Sequence, residues 1–224
     1  MWRLLRFFLA VLSTPFLISV SYALYDELGK VSSLGLNQKY FLLGAAIYLV
    51  VHIVFFKMNL LYVFGHELAH AVATIISFGK VKSFKVSRKG GEVKATKATV
   101  FITLAPYFFP TYSILLAIVW IIAGKFWQVD NFIYGFLFLL GFTLAFHFVM
   151  TVEFLKIKQP DLLKTGYLFS LVLIYLANIS VAAFILSFIF PDVSFKSYLS
   201  TSYTFAKDVY VSFFNQLFSV GSSS

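Results

Sequence analysis

Six apolar stretches divide the chain, and each is close to the roughly 20 residues that a membrane-spanning helix needs. They run at about Leu4–Leu24, Tyr40–Phe56, Asn59–Phe78, Val100–Ala123, Phe132–Val152 and Gly166–Phe190. The pattern predicts an all-α polytopic membrane protein with five or six transmembrane helices. The count depends on Lys57-Met58-Asn59, which either separates two short spans or lies within one bent span.

A polar segment after the third stretch alternates with a period of two. Val81–Ser87 is followed by Arg88–Gly91 and then by Glu92–Thr96. Alternation on both sides of a Gly-Gly turn predicts a small β-hairpin, and a solvated basic loop is the alternative. The edge of such a hairpin offers an extended peptide a place to add as another strand.

Prolines interrupt the fourth apolar stretch at Pro106 and Pro110. Proline in a membrane helix frees backbone groups that need a partner or a wet cavity. We therefore expect this helix to be kinked or broken. A structural kink without catalytic meaning explains the prolines equally well.

After Phe190 the apolar residues recur at helical spacing among Ser, Thr, Lys and Asp. They are Phe195, Leu199, Ala206, Val209, Phe213 and Leu217. This pattern is typical of an amphipathic helix that lies in the membrane interface. The sequence thus predicts an integral membrane domain over residues 1–190 and an interfacial helix with a tail over residues 191–224.

Composition supports a membrane protein and limits its chemistry. Hydrophobic residues make up 60% of the chain and charged residues 12%, against about 25% charged in soluble domains. Seven of the eighteen Lys and Arg lie between Lys80 and Lys97, as in a cytoplasmic loop under the positive-inside rule. Aromatic and basic residues do not alternate anywhere in the sequence, so the pattern that would indicate a nucleic acid as partner is missing. The chain has no cysteine, so a metal must be bound by His and carboxylate side chains.

One apolar stretch contains His66-Glu67-Leu68-Ala69-His70. Residues four apart share a helix face, so His66 and His70 can bind one metal ion while Glu67 reaches a metal-bound water. Ionisable groups in a spanning segment are costly and mark functional sites by default. The pattern predicts a membrane-embedded zinc hydrolase with Glu67 as general base. Two core histidines bonded to carbonyls, with Glu67 paired to one of them, are the alternative.

A catalytic zinc needs three protein ligands and an open position, so a third ligand must lie elsewhere. His147, Glu153 and Asp161 qualify by residue type, whereas His52 would lie about 21 Å before His66 on a continuous helix. Asp161 follows a proline and opens the next span, which favours it over Glu153. Glu153 is also suited to accept a hydrogen bond from a zinc-bound histidine, and His147 to a core position or to ordering water.

At these residues the chain resembles the site-2 protease family of intramembrane zinc metalloproteases, in particular its compact bacterial members without a separate soluble domain. Gly65–Ala71 matches the zinc helix of that family closely. The hairpin around Gly90-Gly91 and the segment Leu104-Ala105-Pro106 look like the membrane-associated strands and the Ala-Gly-Pro segment of the family. The similarity runs from about Asn59 to Val172.

The resemblance implies a protease of the bacterial plasma membrane that uses one zinc ion. Its partners would be the lipid bilayer and a transmembrane protein substrate, cleaved in or near its membrane segment; the oligomeric state is left open. Two alternatives remain. One is a membrane zinc protease that takes a glutamate, here Glu153, as third ligand, and the other is a non-catalytic scaffold with a vestigial zinc site.

Overall fold

The structure is a computed structural model that describes residues 2–54, 59–87, 90–157 and 159–219. Its helices are α1 (Trp2–Leu12), α2 (Thr14–Gly29), α3 (Leu36–Val54), α4 (Asn59–Ile76), α5 (Val100–Leu104), α6 (Thr111–Ala123), α7 (Ile133–Leu155), α8 (Pro160–Thr165), α9 (Tyr167–Ile189) and α10 (Phe195–Ser219). Two strands, β1 (Val81–Ser87) and β2 (Gly90–Ala95), lie between α4 and α5. Short 3-10 helices cover Ala105–Tyr107 and Asp130–Phe132.

Several helices are long and apolar enough to cross a membrane. Four segments qualify in the described residues, namely Leu4–Gly29, Leu36–Val54, Asp130–Leu155 and Tyr167–Ile189. A fifth is counted if Val100–Tyr107 and Thr111–Ala123 form one broken span. The predicted fold class, a helical multi-pass membrane protein with a β-hairpin, is confirmed. The described residues do not reach the upper count of six spans, because α4 is not among the qualifying helices. This helix contains the three ionisable residues His66, Glu67 and His70.

The break at the prolines is confirmed. Pro106 lies in the 3-10 helix after α5, and Pro110 immediately precedes α6. The two halves of the broken segment are bent by 84°. The earlier junction at Lys57-Met58 lies outside the described residues, which place α3 before it and α4 after it as two helices.

Residues 34–165 form one compact unit, in which α3 and α7 pack closely. A Cβ atom added to Gly44 would lie 1.9 Å from the Phe138 carbonyl oxygen, and one added to Gly141 would lie 1.9 Å from that of Phe41. The two helix backbones therefore meet at a pair of glycines. Small residues allow such a close approach of helices in membranes. Next to this contact lies a cluster of large buried side chains, consisting of Tyr48, Tyr62, Phe146 and Met150.

Residues 1–33 and 166–224 form a second compact unit. Here α10 packs against α2 through buried side chains such as Tyr198 and Ala206. The fully buried Glu27 on α2 accepts a hydrogen bond from the Ser194 N–H, just before α10 begins. A helix covers the predicted amphipathic segment, and Leu199 and Phe213 of its apolar stripe are exposed while Tyr198 and Ala206 face α2. Its placement in the membrane interface stays a prediction.

The hairpin forms where the alternating pattern predicts it, with a different boundary. β1 and β2 pair antiparallel, with Phe84 opposite Val93 and Ser87 opposite Gly90. Gly90 and Gly91 thus belong to β2 and not to the turn. Residues 88–89, which lie between the two strands in the sequence, are outside the described part.

The glycine contact between α3 and α7 gives a stability prediction. Gly141→Ala places a methyl group against the α3 backbone, and we expect it to lower the free energy of unfolding by about 1–3 kcal/mol. Gly135→Ala on the same helix is the control, since its added Cβ has no atom within 4 Å. Unfolding in mixed micelles, followed by circular dichroism, measures both. Equal stability of the two variants would contradict the close helix contact.

Candidate metal centre

Two histidines of α4 and one aspartate of α8 converge at one point. The nearest ligand atoms of His66, His70 and Asp161 all lie within 4.8 Å of one another. Asp161 Oδ2 is 3.3 Å from His70 Nε2 and 3.8 Å from His66 Nε2. One turn of α4 spaces the two imidazoles, while Pro160 starts α8 and places Asp161 in its first turn. The structure therefore brings together the three residues that the sequence predicts as ligands.

The tautomer of His70 is fixed by the backbone. His70 Nδ1 lies 2.8 Å from the Ile102 carbonyl oxygen, which can only accept, so Nδ1 carries the donated proton. The Nε2 of a neutral His70 then presents a lone pair toward Asp161 Oδ2. Two acceptors at this distance repel each other unless a proton or a metal cation lies between them.

The donor geometry also suits a divalent cation. Asp161 Oδ2 faces both imidazole nitrogens, so without a metal it would need a charged His70 and a His66 that donates from Nε2. Two ligand atoms about 2.1 Å from one tetrahedral zinc ion lie about 3.4 Å apart, close to the observed 3.3 and 3.8 Å. Two imidazoles and one carboxylate also form a ligand set of catalytic zinc sites. The donors fit zinc; that they bind it stays a prediction.

The second oxygen of Asp161 has a different partner. Asp161 Oδ1 lies 3.6 Å from Lys164 Nζ, one turn further along α8. Burial raises the pKa of the Asp161 carboxyl, but the neighbouring His66 and His70 outweigh burial and hold the pKa well below its usual range. Asp161 is therefore ionised at neutral pH, as a metal ligand must be.

His66 lies deeper among aromatic side chains. Its ring meets the ring of the buried Tyr107 edge to face, with centroids 5.1 Å apart. His66 Nδ1 has no hydrogen-bond partner in the described part of the chain. Beside it lies a cavity of about 20 Å³ that the buried His147 also lines, which is enough volume for one water molecule. His147 thus occupies a core position next to the cavity, in agreement with either of its predicted roles.

The metal-ligand cluster lies in an open cleft of about 820 Å³. α4 supplies one wall, β2 another, and the region around α8 a third. Glu67 lines the same cleft but is only 7% exposed, because β2 covers it. A carboxylate beside three candidate metal ligands is suited to move protons to and from a water molecule.

The other ionisable candidates lie outside the metal-ligand cluster. Glu153 is 3.1 Å from Lys156 Nζ on the next turn. His52 Nδ1 is 3.1 Å from the Tyr48 hydroxyl within α3. Neither belongs to the group of ligand atoms found among the described residues.

Several contributions to the site could not be read from the sequence. The Ile102 carbonyl that orients His70 belongs to the backbone and has no sequence signal. Thr111 and Tyr112 donate hydrogen bonds to carbonyls of α4, at Gly65 and Leu61, and so attach α6 to the helix of the two histidines. The cover that β2 forms over Glu67 also depends on tertiary packing.

A scan against protein-family models finds no match to this chain, and searches of curated proteins and of solved structures find none either. Support for a function therefore comes from the residues of the site, namely the two imidazoles of α4, the carboxylate of α8 and the covered Glu67.

Proposed function

We propose that this protein is an intramembrane zinc metalloprotease of the site-2 protease type, which hydrolyses a peptide bond in or near a transmembrane segment of another membrane protein. The observation that carries the proposal is the convergence of His66, His70 and Asp161, whose ligand atoms lie within 4.8 Å of one another. Their position in a multi-pass membrane protein, beside a cleft that Glu67 also lines, supports it further.

In this proposal the three converging side chains hold one zinc ion and leave a fourth position open. Bound zinc lowers the pKa of a coordinated water toward about 7 and polarises a substrate carbonyl. The Ile102 carbonyl keeps His70 in the tautomer that presents Nε2. The ion pair with Lys164 holds the orientation of Asp161.

Glu67 is the general base of the proposed reaction. It follows His66 directly on α4, so its carboxylate lies beside the two imidazoles. It accepts a proton from the attacking water and donates a proton to the leaving amine.

The proposed substrate is presented in extended form. A helix hides its peptide bonds in its own hydrogen bonds, so a transmembrane segment must unwind locally before hydrolysis. β2 pairs on one side with β1 and lines the cleft with Gly90–Val93. The unwound segment enters the cleft along this strand.

The proposed orientation places the loop Lys80–Lys97 in the cytoplasm of a bacterial cell. Its described lysines, at positions 80, 82, 85, 94 and 97, are all exposed. The positive-inside rule favours the cytoplasm for such a short basic loop. The cleft then opens toward the cytoplasmic side, where water is available for hydrolysis.

The metal ligands give the first test of this function. Purified protein should contain about one zinc per chain, and most of it should be lost in His66→Ala, His70→Ala and Asp161→Ala. Glu153→Ala is the matched control and should keep its zinc, because Glu153 lies outside the ligand group. Elemental analysis of the detergent-solubilised variants measures this. Full zinc in both histidine variants would contradict a metal site.

The general base gives the second test. Glu67→Gln should keep its zinc but lower the rate of cleavage by about 100- to 10,000-fold, since the amide cannot take a proton from water. Cleavage of single-span reporter proteins in reconstituted vesicles measures the rate. Glu153→Gln removes a different carboxylate and should cleave at the wild-type rate. Undiminished cleavage by Glu67→Gln would rule out the proposed mechanism.

A further inference from the structure

Strand β2 lies directly on the side chain of Glu67. A Cβ atom added to Gly91 would lie 2.4 Å from Glu67 Cγ, 2.7 Å from Oε1 and 2.8 Å from Cδ. A side chain at position 91 would push the Glu67 carboxylate aside. Glycine at this position therefore lets the strand lie directly on the carboxylate.

The strand also brings a backbone donor close to the carboxylate. The N–H of Val93 lies near enough to Glu67 to favour its ionised form. This donor belongs to the edge of β2 that faces the cleft, the edge on which an added strand would need it. Glu67 thus lies beside a main-chain position that an extended substrate would use.

Glu67 is almost fully buried where β2 lies on it. The residue is 7% exposed, although in the proposed reaction it must exchange protons with water. In this arrangement β2 covers the proposed base.

We propose that β2 is a lid that holds Glu67 in a resting state, and that an extended substrate segment displaces the lid and frees the base. The proposal rests on the proposed protease function for the identity of the substrate, whereas the covering of Glu67 does not depend on it. Free Glu67 then turns toward the water that it activates.

The fold allows the hairpin to move as a unit. β2 has β1 as its strand partner, and both strands pack on α4. A two-stranded sheet has low stability by itself. If the hairpin moves away from α4, the β1–β2 ladder stays intact, while the packing on α4 and the contact of the Val93 N–H with Glu67 are lost. Lids over active sites are commonly built from such weakly held segments.

The chain has no cysteine, so two introduced cysteines can be cross-linked selectively to hold β1 and β2 against α4. Phe64 on α4 and Phe84 on β1 are exposed, and their ring centroids are 5.9 Å apart. Phe84 lies opposite Val93 in the hairpin. A covalent bridge between positions 64 and 84 therefore also holds the part of β2 around Val93 against α4. The test is Phe64→Cys/Phe84→Cys, joined by a short bifunctional methanethiosulfonate and released again with a reductant.

Accessibility of Glu67 is the deciding measurement. Dicyclohexylcarbodiimide modifies carboxyl groups within membrane proteins, and mass spectrometry measures its addition at Glu67. We expect the bridged form to react at least about fivefold more slowly than the released form, because the lid then stays closed. Equal labelling of the two forms would overturn the lid. Each single-cysteine variant, treated with the same reagent, controls for the bulk of the modification.

Cleavage of the reporter separates the lid from the protease function. The bridged form should keep its zinc and cleave at least about tenfold more slowly, with recovery after reduction. Slow labelling of the bridged form without cleavage by any form would support the lid and reject the protease. Equal cleavage by bridged and released forms would keep the protease and reject the lid.

Discussion

The close approach of His70 Nε2 and Asp161 Oδ2, 3.3 Å apart, is the contact on which the site depends. The Ile102 carbonyl already takes the proton of His70 Nδ1, so the facing nitrogen and oxygen both present lone pairs. His66 adds a third donor atom near the same oxygen. The three atoms together fit one divalent cation, which is the occupant proposed for this site.

The membrane architecture determines how this site is assembled. Its ligands come from α4 and α8, which are shorter than the qualifying spans, while the longer α3 and α7 pack tightly through Gly44 and Gly141. The helical segment beside α4 is broken at Pro106 and Pro110. Hydrogen bonds from Thr111 and Tyr112 attach α6, the second half of this segment, to α4. Within a membrane, irregular backbone is stable only where it is buried in protein or lines a water-filled cavity. Here both the cleft and the broken helix adjoin α4.

In the proposed function the hairpin links the chemistry to its control. Its second strand brings the Val93 N–H close to Glu67, and Gly91 leaves room for the Glu67 side chain. A backbone donor at the edge of a sheet can take an extended chain as its partner instead. The same strand is thus suited to cover the proposed base in the resting state and to guide an extended substrate.

The sequence by itself determined the membrane class, the hairpin and the broken helix, because apolar length, period-two alternation and proline are local signals. It also indicated His66, Glu67 and His70, since residues four apart on one helix need no tertiary information to share a face. The placement of Asp161 beside the two histidines was decided by folding, because roughly ninety residues separate them and only packing brings them together. The packed face of α10, the Ile102 carbonyl and the cover over Glu67 likewise depend on contacts between distant segments, which no local pattern encodes.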